Sequence, residues 1–276
     1  MFRNLLICLV IFFCSCKPTQ QLVLPAPAAN AVNGKSFYTK LINQTAPERE
    51  LYILHEIESG NIPGFLKKLV PIRTSFYDSA SHKTYHILYF VTADYLSIGN
   101  NKNFARIPMT PKTAQKIADS LFCFLPTVKI VNEIYKHAKV KLAPLPLIQN
   151  RDSPETFYHH HLMIEKQRDK KHGLIAGIKK DIVISDAITR NTKPNRLALY
   201  GWHQLNGVPI QPLYTGHVNH YVDYSHGIRL IYRTIIINGK KYDYKDLLKD
   251  PLLRKTITED EESSFTGYKI EDAQQH

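Results

Sequence analysis

Apolar positions recur at helical spacing through much of the first half of the chain and in strand-like runs through the second. Over Pro47–Ser59 (PERELYILHEIES), Leu51, Leu54 and Ile57 share a helical face, and Gly60-Asn61 follows with a residue able to take positive φ. A helix is predicted there. GNIPGFLKKLVPI then makes a turn and a short helical stretch before Pro71. Thr84–Ser97 (TYHILYFVTADYLS) is dense in β-branched and aromatic residues, which predicts a strand paired with the segment around Arg73–Tyr77. In TPKTAQKIADSLF, Thr110 stands at an N-cap and Pro111 at the first helical position. Val128, Val131, Ile134 and Tyr135 carry an apolar face toward Ala138, so two packed helices joined at the Leu125-Pro126-Thr127 corner are expected.

The second half changes period. GLIAGIKKDIVIS, PNRLALYGWH and YVDYSHGIRLIYRTIIING alternate strand-like runs with glycine corners, and Asp243–Leu253 closes them with a helical stretch. The expected fold is α+β, a helical first half packed on a mainly antiparallel sheet formed largely by the second half. One domain over residues 46–260 accommodates this pattern. Residues 16–45, rich in Pro, Ala, Asn and Gln, read as a flexible tether, and residues 261–276 as a polar tail.

Composition excludes collagen-like, coiled-coil and wholly disordered chains, since 43% of the 276 residues are apolar and 22% charged. The opening MFRNLLICLVIFFCSC carries one charge at Arg3, a short apolar run from Leu5 to Phe13 and Cys16 behind Ser15. It resembles a bacterial lipoprotein signal, with Phe13 and Cys14 where a leucine and a small residue are usual. The run is well short of the roughly 20 residues that span a bilayer. The resemblance implies removal of residues 1–15, acylation of Cys16, and a protein held at a membrane of the bacterial cell envelope through an N-terminal lipid. Cys8 and Cys14 would leave with the signal, so Cys123 stands alone in the mature domain and no intramolecular disulfide can form. Leu121, Phe122, Phe124 and Leu125 around it favour a buried small hydrophobe over a reactive thiol.

The formal charge of +12 suits an anionic envelope polymer or peptide, or lipid headgroups, and in an exported protein no nucleic acid is expected.

Candidate chemistry gathers in one stretch, YGWHQLNGVPIQPLYTGHVNHYVDYSHGIRLI. It holds His203, His217, His220 and His226, four of the chain's 13 histidines. Tyr200, Trp202, Tyr221, Asp223 and Ser225 accompany them beside glycines. If the segment is extended, Tyr221, Asp223 and Ser225 share one face, and Tyr224 and His226 share the other. A serine mechanism would then need His203 or His217 to reach Ser225, with Asp223 or Asp181 orienting the imidazole, and no G-x-S-x-G elbow surrounds Ser225. A cysteine mechanism would use Cys123 with a strand histidine. A divalent metal could draw on His203, His217, His220, His226 and Asp223, although no H-E-x-x-H or C-x2-C spacing requires one. His159-His160-His161 reads as a partly solvated turn or strand edge.

In GIKKD, one of Lys179 and Lys180 must point with the apolar neighbours, either to guard a sheet edge or to meet an anionic group in a cleft. Arg229 could serve the same purpose. Set against all of these is a polar core in which Tyr, His and Asp satisfy one another around a glycine-rich corner.

The combination LPTVKIVNEIY, AGIKKDIVIS, LALYGWH and YVDYSHGIRLI resembles an uncharacterised family of exported bacterial proteins. The resemblance implies a single domain and assigns no catalytic role. The leading expectation is a membrane-tethered hydrolase of an envelope or extracellular polymer or peptide-like substrate. His203, His217 and His226 would supply acid and base, Asp223 would orient, and Lys179, Lys180 or Arg229 would hold an anionic group, with Tyr200, Trp202 and Tyr221 lining the cleft. The rival is a lipoprotein that binds glycan or peptide in the same cleft without turning it over.

Overall fold

The computed structural model describes residues 19–270. The signal sequence and Cys16 lie outside the described residues, and no described helix is long and apolar enough to cross a membrane. Helices α1 (Gly34–Leu41), α2 (Ala46–Glu58) and α3 (Gly64–Lys67) lead into the hairpin of β1 (Val70–Asp78) and β2 (Lys83–Val91). The short strands β3 (Ser97–Gly99) and β4 (Phe104–Arg106) follow, then α4 (Pro111–Ser120), β5 (Cys123–Phe124), α5 (Val128–His137), β6 (Val140–Lys141) and α6 (Pro154–Arg168). Next come β7 (Ile175–Ala176), β8 (Lys180–Val183), β9 (Ala198–His203), β10 (Pro209–Tyr214), β11 (His226–Gly227), β12 (Ile231–Tyr232), β13 (Thr234–Ile237) and β14 (Lys240–Asp243). Helix α7 (Tyr244–Lys249) and one 3-10 turn (Leu253–Thr256) follow them.

The fold is α+β with its helices mainly in the N-terminal half. Two sheets organise it, ordered β14-β13-β2-β12-β5 with β1 on β2, and β10-β9-β8-β11. Pairing is antiparallel apart from β8–β11 and β6–β7. The larger sheet is not a product of the second half alone. The β1–β2 hairpin is its longest pair, running from Val70 against Val91 to Asp78 against Lys83, because the strand at Thr84 turns back on the segment at Arg73 as the local pattern predicts. Its buried residues Ile72, Ile87, Tyr89 and Val91 join one large core with residues of α1, α2, α4 and α5.

Four expectations need correction. Residues 34–41, read as tether, form α1: Asn33 caps it by accepting from the Ser36 amide at 2.9 Å, and Phe37, Tyr38 and Leu41 are buried in the main core. Even Leu22 is buried and donates its amide to the Lys67 carbonyl. The polar tail also packs, since Tyr268 is buried with its hydroxyl on the Val183 carbonyl at 2.8 Å, and Asp186 accepts from the Phe265 amide. The corner between α4 and α5 contains the strand β5, so Cys123 pairs with Tyr232 in the sheet. Finally, the triple histidine run lies on α6. Ser153 caps that helix by accepting from the Thr156 amide, Pro154 opens it, and His160 and His161 face inward while His159 is exposed.

Candidate functional site

Strand β8 sits between β9 and β11, and the two lysines at its start part company. Lys179 is buried; its ammonium donates to the Tyr224 carbonyl and lies 3.1 Å from Nδ1 of His160. Burial, with Arg106 nearby, brings its pKa down to about 7. Arg106 itself is held by Asp94, at 3.0 and 2.5 Å, and by Glu165 at 2.8 Å, which ties α6 to β4 inside the core. Lys180 is half-buried and takes the other side. Its ammonium lies 5.4 Å from the centre of the Trp202 ring and makes no salt bridge among the described residues. Burial lowers its pKa, Asp223 opposes that, and Arg151 adds to it.

Gly201 and Trp202 take positive φ in succession, 104° and 54°, which kinks β9 where it faces Lys180. Glycine adopts this backbone readily, whereas a bulky residue does so only under strain. Trp202 is buried, and its indole Nε1 has no hydrogen-bond partner among the described residues.

Residues 221–225 belong to no strand and end in a turn at 224–225, yet Tyr221, Asp223 and Ser225 still come together. Asp223, 1% exposed, organises the loop: one carboxylate oxygen accepts from the Ser225 amide and hydroxyl, each at 2.7 Å. The other accepts from Tyr221 at 3.1 Å and pairs with Arg151 at 2.6 Å. Burial would raise its pKa, but the Ser225 hydrogen bonds and the neighbouring His226 and Arg151 outweigh that and hold it below the usual carboxylate value. Tyr221 is pushed up to about 12 by burial and by Asp223. His217 packs on the Tyr221 ring at 4.6 Å, and its pKa is lowered by burial and then by Lys180, with Arg151 and Arg196 adding to the effect. His226 pairs beside Lys180 on β11. It is buried, its pKa is driven down to about 3 chiefly by burial, and its Nδ1 has no partner among the described residues.

Tyr200 and His203 face elsewhere. Asn132 Oδ1, on α5, accepts from Tyr200 at 2.9 Å and lies 3.0 Å from Nε2 of His203, in a groove of about 730 Å³ bordered by Lys129, Lys136 and Lys141. Tyr135 stacks on His203 at 4.5 Å, and burial holds that imidazole down to about 4. Arg229 is buried and committed to the carbonyls of Thr92 and Ile175 at 2.8 and 2.7 Å, over the Tyr95 ring. Tyr95 in turn donates to Asp181 at 2.8 Å, and burial lifts that carboxyl to about 7.

The structure therefore brings together Lys180, Trp202, His217, Tyr221, Asp223, Ser225 and His226. Tyr200 and His203 face a separate groove, and Lys179 and Arg229 belong to the interior. Arg151 and Arg196 join the cluster although sequence reasoning passed over both, because each sits in a polar loop with no periodicity to mark it. Asn132 went unnoticed for the opposite reason, as one polar residue on an apolar helix.

Chemically, Asp223 already accepts from three donors and a guanidinium, and the Ser225 hydroxyl gives its hydrogen to that carboxylate. Among the described residues no imidazole hydrogen-bonds a serine, threonine or cysteine. Nor do three His, Cys, Asp or Glu side chains converge there as a metal-ligand set, so His203, His217, His220, His226 and Asp223 form no common cage. What the cluster offers is positive charge: Lys180, Arg151 and Arg196 all bear on His217, Arg151 pairs with Asp223, and Arg196 donates to the Gly216 carbonyl beside His217. Compared with protein-family models, curated proteins and solved structures, the chain matches none.

Proposed function

We propose that the protein is a non-catalytic binding protein for an anionic, peptide-like ligand, whose carboxylate seats against Lys180, Arg151 and His217. The observation that carries this reading is Lys180: a half-buried ammonium without a salt bridge among the described residues, near Arg151 and one already committed carboxylate. A partly desolvated cation gains most from a counter-charge, and here the ligand supplies it. The unpartnered Trp202 Nε1 and His226 Nδ1, together with the strained backbone at Trp202, support a site held ready. The signal-like N-terminus and Cys16 support attachment by lipid at the bacterial envelope, where such ligands occur. Hydrolysis of a peptide-like substrate would draw on the same residues, but the engagement of Asp223 and Ser225 with each other favours binding.

The test is affinity selection from pooled N-acetylated tripeptides, supplied as free acids and as C-terminal amides. Selected peptides are then titrated against the emission of Trp202, the single tryptophan. Free acids are expected to be enriched by the wild type and bound at least tenfold more weakly by Lys180→Ala. Equal enrichment of acids and amides, or unchanged binding by Lys180→Ala, overturns the reading.

A further inference from the structure

The loop that carries the cationic cluster also walls a second feature. Residues 218–222 run from His217 to Asp223, and Val218, Tyr221 and Val222 line one side of a cleft of about 440 Å³. Leu41, Ile53, Ile107 and Phe157 supply its other apolar walls, from α1, α2, the segment after β4 and α6, and Arg49, Glu50, Asp152 and His220 are its charged or titratable members. A cleft of this size lies within the roughly 300–1,000 Å³ of ordinary ligand sites. Tyr221 is common to both features, since it lines the cleft and its hydroxyl bonds Asp223, the partner of Arg151.

Resting on the proposed function, we infer that this cleft is the specificity subsite of the same ligand. It takes an apolar side chain adjoining the carboxylate held at Lys180, so the ligand class is a peptide with a free C-terminus and branched apolar side chains. The lining argues for the apolar occupant: Leu41, Ile53, Ile107, Phe157, Val218 and Val222 make up much of the wall, and a charged side chain entering among them would lose its hydration. Asp152 and Arg49 stand on the wall with opposite charge, so the rim itself favours neither sign. Glu50 also lines the cleft, but its carboxylate is engaged by the Thr110 amide at 3.0 Å and hydroxyl at 2.8 Å. It therefore stays where it is when an apolar group arrives. Burying one branched side chain in such a cleft is worth roughly ten- to hundredfold in affinity.

The experiment uses N-acetylated tripeptides that end in Leu-Leu, Ser-Ser or Glu-Glu, each as the free acid and as the C-terminal amide, titrated against Trp202 emission in the full chain, in Val218→Phe and in Lys180→Ala. The Leu-Leu acid is expected to bind at least tenfold more tightly than the Ser-Ser acid, and the Glu-Glu acid most weakly of the three. Val218→Phe, which narrows the cleft, should abolish the Leu-over-Ser preference while preserving the preference for acid over amide, and its thermal unfolding shows that it is folded. Retention of acid-over-amide discrimination with equal affinity for Leu-Leu and Ser-Ser overturns the cleft assignment alone. Loss of that discrimination in the wild type overturns the proposed function with it. A Leu-Leu preference that survives Val218→Phe places the apolar group elsewhere and also overturns the assignment.

Discussion

Lys180 holds its ammonium 5.4 Å from the centre of the Trp202 ring. A half-exposed cation–π contact contributes on the order of 0.5–1 kcal/mol. Lys180→Ala should therefore lower stability by less than about 1 kcal/mol while changing Trp202 emission in the folded state. Urea unfolding followed by circular dichroism, beside fluorescence spectra of the native protein, checks both. A larger stability loss would mean that the lysine supports the fold rather than a ligand.

Asp223 is expected to behave oppositely. Its removal leaves Tyr221 and the Ser225 amide without their acceptor, while Arg151, 42% exposed, returns to water, so Asp223→Ala should cost roughly 2–3 kcal/mol. Ser225→Ala removes one hydrogen bond of the same carboxylate and should cost about 1 kcal/mol. Urea midpoints for the pair decide it: comparable losses would show that Asp223 does not hold the loop together.

Acid should destabilise the protein well above the usual carboxylate range. Burial depresses the folded pKa of five histidines, His203 to about 4, His226 to about 3, and His160, His161 and His217 downward as well. Between those values and about 6.5 the unfolded chain binds the additional protons, so each histidine makes stability fall as pH drops below about 6.5. Asp181, lifted to about 7, acts with the opposite sign, because its folded carboxyl holds a proton that the unfolded one releases above about 4. Glu50, raised by burial, acts in the same sense as Asp181, but five imidazoles outweigh two carboxyls, and stability should decline from about pH 6.5 toward 4. Denaturant unfolding across that range measures the slope, which His226→Asn should reduce by about one proton.

Cys123 should resist modification in the folded protein. It is fully buried in β5, its thiol lies 3.3 Å from the Leu121 carbonyl, and burial pushes its pKa far up. A thiol reagent at pH 8 should label it no faster than the protein unfolds. Rapid native labelling would return the cysteine to the list of candidate nucleophiles.

Gly227 is required by space rather than by backbone freedom. A Cβ there would sit 2.5 Å from Cδ1 of Tyr95 and 2.6 Å from Cβ of Lys179. Gly227→Ala should cost at least about 2 kcal/mol through overpacking. Gly239→Ala meets nothing within 4 Å and bears only the strain of φ 83°, so its cost should be nearer 1 kcal/mol. Thermal unfolding of the two variants ranks them.

Local chemistry was enough for the elements whose ends carry their own signals. Thr110-Pro111 opens α4, Thr127 caps α5, and the β-branched run after Thr84 forms β2. The signal that opens α6, Ser153-Pro154-Glu155, was equally present, but the three histidines behind it drew the reading toward a turn. The burial of Phe37 and Tyr38 was hidden by the Pro- and Ala-rich residues before them, since composition averages over a boundary that a cap at Asn33 marks sharply.

The sequence by itself determined the α+β class, most of the helices and the β1–β2 hairpin, because caps, turns and apolar spacing act over a few residues. It also singled out the stretch from Tyr200 to Arg229 as the place where polar groups crowd glycines. Which of those groups share a surface was decided by tertiary structure alone. Lys179 and Lys180 are neighbours in sequence, yet one is buried against His160 and the other stands half-buried over Trp202, because the pleat of β8 sends adjacent side chains apart. Arg151 reaches Asp223 across 72 positions, and Asn132 meets His203 across 71, through the packing of α5 and α6 on the smaller sheet. Partners so distant in sequence leave no local pattern, since only the closing of long loops around a common core brings them together.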